Sequence, residues 1–432
     1  MQYFKFKLGK EKVDFSIEDK NFMGTITREN EASNLTEEEI VRNSINNPIG
    51  SGKLDSIINE NDSICIVLSD VTRAYQKPQV FLPILVDEIL QAGGKEENIF
   101  FISSLGSHRK HSAEEHKKLL GEDLYSRFPI EDHDCDDYGN LVEIGTTSRG
   151  TVLELNKKAV EADKLIMTGA VVYHVMAGWG GGRKSVVPGI ASRKTIMQNH
   201  AISMMNEGGT GSGPNPECDC ALYENNPLNL DMVEAAEILK PDFMFNVILG
   251  GGKIIEAVSG DIVQAHKKGC ELVSELNDVE IYEKADMIIA SAGGYPKDIN
   301  YYQSTKVIYN AMRAINEDGV LIVLASCSEG FGNPEVQHII ENFPDNLARE
   351  EELHSNYTIA KYIGFLSCWY ATKYNIIYVA DIDPDLIKPA NITVVKTVQE
   401  ALEKAEDIKD TRDLKTYVMP DGSFYPVLNV KS

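Results

Sequence analysis

Between Thr168 and His200 the chain gathers residue types suited to chemistry: His174, glycines at 178, 180, 181 and 182, the pair Arg183-Lys184, Ser185, and His200. The stretch leaves an apolar run, residues 165–172, that reads as a buried parallel strand. Glycine, with no Cβ, lets backbone approach a ligand closely. A lysine amine can bond covalently to a carbonyl carbon, and imidazole moves protons near neutral pH or ligates a metal. Strand, glycine turn, fixed cation and flanking imidazoles together predict a site for a phosphate-bearing cofactor.

Two further stretches carry chemistry of the same kind. Asp70-Val71-Thr72-Arg73, followed by Lys77, sets a carboxylate beside a guanidinium whose planar fork suits phosphate or carboxylate. Gly106-Ser107-His108-Arg109-Lys110-His111 adds imidazole and more cations. Of nine histidines, His108, His174 and His200 read as functional. His111, His116, His133, His266, His338 and His354 read as solvated groups in helical or charged surroundings. Lys184 has two functional readings. Gly178 to Ser185 nearly spells the G-x-x-x-x-G-K-S loop that cradles nucleotide phosphates, but Arg183 stands where its final glycine belongs. The other reading is a lysine that tethers a cofactor covalently. A P-loop-like nucleotide-dependent phosphotransferase, or a catalytically silent binder of an acidic metabolite, is the competing function. Cys218-Asp219-Cys220 lacks both the usual metal spacing and a second pair. Trp179 and Trp369 read as packing.

A parallel sheet must position these groups. Strands over residues 63–69, 98–105, 165–172 and 243–249 alternate with helices over 79–91 and 113–120. In open parallel sheets ligands sit beyond the carboxyl ends of the strands, and each chemical stretch follows a strand. Upstream, residues 1–30 alternate like a hairpin that turns near Leu8, and Thr36 caps a helix with an acidic first turn. Downstream, a helix from Asp261 leads to a junction at Asn277-Asp278 and a second strand series over 287–293, 320–325, 375–380 and 392–395. After it, Tyr302, Gln303 and Lys306 share one face of a helix start, with Lys297 nearby. The expected fold is α/β, two α/β domains with mainly parallel sheets facing across a cleft. Residues 1–276 would bind cofactor and catalyse, and residues 277–432 would close the substrate cleft.

Composition narrows the partners. The 432 residues are 43% hydrophobic and 25% charged, as in a globular protein with sizeable cores. A net charge of -24 argues against nucleic acid or an anionic membrane as partner. Seven scattered cysteines form no disulfide framework, and no apolar run has the length of a spanning helix. A cytoplasmic protein is expected.

Taken together, these motifs resemble the nickel-dependent lactate racemase superfamily of 2-hydroxyacid racemases and epimerases. The resemblance rests on Asp70-Val-Thr-Arg73, Gly106-Ser-His108-Arg109, His174 with Gly-Gly-Arg-Lys184-Ser-Val-Val-Pro-Gly-Ile-Ala, His200, and Tyr302-Gln303-Ser-Thr-Lys306. It implies a nickel-pincer nucleotide, pyridinium-3,5-bisthiocarboxylic acid mononucleotide, attached covalently at Lys184, with His200 as nickel ligand. It further implies that Asp70, Val71, Thr72 and Arg73 contact the cofactor. Arg73, Tyr302, Gln303 and Lys306 would bind substrate, and His108 and His174 would serve as acid and base on opposite sides of it. The implied reaction is reversible hydride transfer that inverts the hydroxyl-bearing carbon of a 2-hydroxyacid, lactate or a larger relative such as a sugar acid. Partners would be that small molecule and the cofactor biosynthesis enzymes. A homo-oligomer is left open.

Overall fold

The computed structural model describes residues 1–27, 34–205, 207–277, 279–423 and 428–430. Asp278 of the expected junction and residues 28–30 of the N-terminal stretch lie outside them. The chain forms two compact units. One comprises Asn30–Ile202 and Glu217–Leu276, the other Met1–Glu29, Ser203–Pro216 and Asn277–Ser432.

The first unit is built on a six-stranded sheet. Its order is Lys253–Gly260, Phe243–Gly250, Lys164–Ala170, Ile64–Ser69, Ile99–Ser104, Ile130–Asp132. Only the Lys253–Gly260 edge runs antiparallel to its neighbour. Ile64–Ser69 has a partner on each side, and Ile64 through Leu68 are all buried, which is why it reads as an unbroken apolar run. Helix Glu37–Asn46 starts at a capping box in which Thr36 and Glu39 satisfy each other's backbone amides. Ser112 and Glu115 start Ala113–Arg127 in the same way. That helix passes the expected end at residue 120 because Gly121 takes a kink at φ 78° and the chain resumes its turns. Phe81, Leu85, Phe101 and Phe245 belong to the core, with the Phe81 and Phe245 rings 5.2 Å apart.

The second unit has a six-stranded, wholly parallel sheet. Its order is Thr393–Val395, Asn375–Val379, Ile315–Leu324, Ala285–Ser291, Thr416–Met419, Phe22–Thr25. The hairpin Gln2–Leu8 and Glu11–Ile17 buries Phe6 and Phe15 in the same core as Ile289, Ile322 and Val418. Chain order alone puts residues 1–276 in a single domain, and the structure corrects this. Phe22–Thr25 pairs with Thr416–Met419. Gly213 donates its amide to Glu350 at 3.1 Å and lies so close to Trp369 that a Cβ would sit 2.3 Å from its ring. Pairing and packing thus draw the first strands and residues 203–216 into this unit. Among the described residues no helix is long and apolar enough to cross a membrane.

Candidate active site

The first chemical stretch follows strand Ile64–Ser69. Asp70 caps the short helical turn Val71–Gln76 and is 2% exposed. Its Oδ1 accepts the Thr72 N–H at 2.7 Å and the Thr72 hydroxyl, and its Oδ2 accepts the Arg73 guanidinium. His108, from the loop after Ile99–Ser104, places Nδ1 3.0 Å from the same Oδ2. Burial alone would raise the Asp70 carboxyl, but His108, Arg73 and Thr72 outweigh it and hold the group well below the usual carboxylate range. An ionised carboxylate only accepts. The proton of a neutral His108 ring therefore sits on Nδ1, and Nε2 presents a lone pair.

The glycine stretch follows Lys164–Ala170. Tyr173–His174 pairs with Gly178–Trp179 in a minimal hairpin, and Gly182–Ser185 makes a single tight turn. His174 Nδ1 accepts the backbone N–H groups of Ala177 at 3.1 Å and Met176 at 3.4 Å, while Nε2 lies 3.2 Å from Lys184 Nζ. Backbone amides only donate, so the neutral His174 ring carries its proton on Nε2, the reverse of His108. His174 and Lys184 keep some accessible surface yet are closely enclosed. Burial first, then the charges of Arg183 and Arg73, bring the Lys184 amine well below its ordinary value. Burial, followed by Lys184 and His200, does the same to His174.

His200 lies in the last turn of helix Arg193–Ala201 and is 2% exposed. Its Nδ1 is 3.0 Å from the Ile196 carbonyl, which leaves the lone pair of the neutral ring on Nε2. Burial, then Lys184, pushes this imidazole down to about 3. The adjacent Asn199 donates to Asp231 at 2.8 Å, and the same buried carboxylate accepts Thr147 at 2.5 Å and Thr151 at 2.8 Å. This network pins the helix that carries His200. Asp70, Arg73 and His108 thus form one hydrogen-bonded set and His174 and Lys184 another, with the charge of Arg73 felt by His174 and Lys184 and that of Lys184 felt by His200.

The loop from Gly178 to Ser185 has the wrong polarity for a phosphate cradle. Gly182 spends its amide on Asn246 at 2.8 Å and Gly180 spends its own on Val172 at 2.6 Å. The carbonyls of Ala177 and Trp179 instead receive Arg183 at 2.9 Å each. That guanidinium, 1% exposed, also reaches Asn229 at 2.7 Å and His266 at 2.9 Å. The side chain that spoils the nucleotide motif is the internal strut of the loop. Gly181, at φ 78°, must stay glycine, since a Cβ would lie 2.4 Å from Asn246 Oδ1 and 2.6 Å from the Ala170 carbonyl. Burial pushes the Cys218 thiol up to about 12.

Other expectations meet mixed outcomes. Lys77 pairs with Glu37 at 2.5 Å, Lys110 with Asp134 at 2.9 Å, and Arg109 with both oxygens of Glu115 at 2.8 and 2.7 Å. Tyr302 and Gln303 lie in helix Tyr301–Ser304 of the second unit and Lys306 opens Lys306–Ala311. Lys306 Nζ donates to Gln303 Oε1 at 3.0 Å, so these two do share a face. Trp179 packs on Tyr173 with ring centroids 4.6 Å apart. His338 and His354 are exposed as expected, but His111, His133 and His266 are not solvated. His133 bonds the Ala191 carbonyl at 2.9 Å, His266 meets Arg183, and His111 and His116 both hold Asp132. These partners lie 16 to 83 residues away, and no local pattern announces them.

Two family models match the chain: a lactate racemase N-terminal domain over residues 8–213 and a lactate racemase C-terminal domain over residues 281–425. A lactate racemase of Thermoanaerobacterium thermosaccharolyticum is 35% identical over 428 residues, spanning 96% of each chain. One of Lactiplantibacillus plantarum is 34% identical over 426 residues, again 96% of each. The solved lactate racemase apoprotein from T. thermosaccharolyticum superposes with a TM-score of 0.90 at 32% identity, covering 99% of this chain and 100% of that one. A Thermotoga maritima protein shares the fold at a TM-score of 0.64 and 18% identity, over 93% and 100%.

Proposed function

The chain belongs to the lactate racemase family, and on that premise we propose that it racemises or epimerises a 2-hydroxyacid, lactate or a larger relative. The observation that carries this reading is the pair of oppositely set imidazoles beside an enclosed amine. His108 presents a lone pair at Nε2 and His174 an N–H at Nε2, the latter 3.2 Å from Lys184. For one enantiomer, His108 accepts the hydroxyl proton while His174 holds the oxygen from the other side. For the other enantiomer His174 would donate its Nε2 proton to the oxygen and the proton taken by His108 would pass back to His174, so both rings end as they began.

The donor set also suits the cofactor that the resemblance implies. Lys184, its amine held well below the ordinary value, is the nucleophilic form needed for a covalent tether. His200 supplies a neutral imidazole, a ligand that suits nickel. Asp70, Val71, Thr72 and Arg73 would hold the nucleotide portion. When bound, the nickel-pincer nucleotide supplies a reversible acceptor for hydride from Cα. Arg73 would orient the substrate carboxylate, with Tyr302, Gln303 and Lys306 as further substrate-binding residues. The internal pairing of Lys77, Arg109 and Lys110 supports a substrate with one carboxylate over one with two. Seven free, buried cysteines support a reducing, cytoplasmic setting.

The test co-expresses wild-type and Lys184→Ala chains with the cofactor biosynthesis enzymes and nickel, and measures intact mass. A mononucleotide-sized adduct on the wild type alone is expected. Loaded protein should then convert a single enantiomer of a 2-hydroxyacid to a mixture. His108→Ala and His174→Ala should keep the adduct and lose turnover by about 10²- to 10⁴-fold. An unmodified wild type, with a known relative loaded in parallel, overturns the proposal.

A further inference from the structure

Beside the proposed catalytic groups, the carboxylate of Asp132 holds two imidazoles. Its Oδ1 lies 2.8 Å from His111 Nδ1 and 2.8 Å from His116 Nε2, and its Oδ2 accepts the His111 backbone N–H at 2.7 Å. Ligand atoms of these three side chains lie within 4.8 Å of one another, a spacing that a divalent cation can bridge. The far edge of His111 decides against that use. Its Nε2 accepts the Val71 backbone N–H at 2.9 Å. An amide only donates, so Nε2 is unprotonated and the neutral ring carries its proton on Nδ1, aimed at Asp132. A cation on Nδ1 would drive that proton to Nε2 and set two donors face to face.

We propose that His111 is a positioning residue that clamps the Asp70–Arg73 turn and, through Asp70, sets the ring of His108. The path crosses the carboxyl ends of three neighbouring strands, from Ile130–Asp132 through the loop after Ile99–Ser104 to the turn after Ile64–Ser69. Each join has a specific chemical reason. The first amides of a helical turn lack internal partners. Thr72 N–H finds the Asp70 side chain, and Val71 N–H finds His111. Asp70 then presents Oδ2 to His108 and Arg73. His111 is 1% exposed in its side chain and sits three residues after His108, so one loop carries both the working imidazole and the bolt that steadies its carboxylate. This inference rests on the racemase reading for its catalytic consequence, but its geometry does not.

Two substitutions separate the two ends of the clamp. His111→Gln keeps an acceptor near the Nε2 position, within reach of Val71. His111→Asn keeps a donor for Asp132 but is too short to reach Val71. Hydrogen–deuterium exchange over residues 70–73, read by mass spectrometry, and turnover of the loaded enzyme are measured for both. His111→Asn should speed local exchange at least about tenfold and cut kcat about 10- to 100-fold with KM within about twofold, as expected for lost orientation. His111→Gln should stay within about threefold of wild type in each. Equal losses in both variants overturn the clamp, as does wild-type exchange in His111→Asn or a rise spread over the whole sheet. Protection of residues 70–73 in the wild type by added zinc or nickel overturns it in favour of a cation site. Loaded wild-type protein inactive on 2-hydroxyacids defeats the racemase reading alone, and exchange then decides the clamp.

Discussion

His108 and His174 are the same residue type with opposite proton placement, because a carboxylate claims Nδ1 in one and backbone amides claim it in the other. Asp70 is therefore as consequential as the histidine it faces. Asp70→Asn removes the charge that fixes the His108 tautomer while keeping the shape, and should lower kcat by about 10²-fold or more with the cofactor mass retained. Unchanged kcat in loaded Asp70→Asn protein would separate Asp70 from catalysis. At this scale the sequence was legible where chemistry is local. His108, His174, Lys184 and His200 stand beside glycines, cations or strand ends, and all four lie in the first unit. His111, which reads as a solvated group, is instead enclosed. Arg183 counts against a phosphate loop in the sequence, and in the structure it braces that loop from inside. Nothing near His111 in sequence shows that Val71 and Asp132 flank it in space.

Elements place these groups through glycines and buried polar anchors. Gly181→Ala would force a Cβ against Asn246 and the Ala170 carbonyl, so the turn bearing Lys184 must shift. The expected result is a folded protein with far-ultraviolet dichroism unchanged and Lys184 no longer loaded, and normal loading would show that the turn tolerates the shift. Asp231→Ala leaves the hydroxyls of Thr147 and Thr151 and the amide of Asn199 without their buried acceptor. It should cost about 1–3 kcal/mol or more in urea unfolding. It should also loosen helix Arg193–Ala201, read as faster exchange around His200. The strands and long helices were legible because buried parallel strands read as continuous apolar runs and because Thr36 and Ser112 announce their helices. The pair Tyr173–His174 and Gly178–Trp179 was not. Two-residue strands carry no periodicity, and their pairing follows from the loop that Arg183 braces. The break between Tyr301–Ser304 and Lys306–Ala311 was also hidden within one helical pattern.

For the whole molecule, buried neutral imidazoles set how stability answers to acid. Burial holds His133 below its ordinary value, and burial with the neighbouring Arg183 holds His266 well below it. The unfolded chain takes up these protons near the free-histidine value of about 6.5, while the folded protein does not. Stability is therefore full above that value and declines as pH falls below it. The urea midpoint of the cofactor-free protein should be lower at pH 5.5 than at pH 7.5, and equal midpoints would remove these residues from the account. The α/β class and the mainly parallel sheets were legible in the rhythm of strands and helices. The membership of the two units was not, because strand order in a sheet need not follow strand order in the chain. Phe22–Thr25 lies beside Thr416–Met419. On a ribosome that pairing imposes a wait. The partner of residue 25 begins at residue 416, about 390 residues later, or roughly 20 to 80 s at ordinary elongation rates. Throughout that time strand Phe22–Thr25 stays without the neighbour it needs, so newborn chains carry an open β-edge until Thr416–Met419 emerges. The order of strands along the chain thus sets a minimum age at which this sheet can be complete.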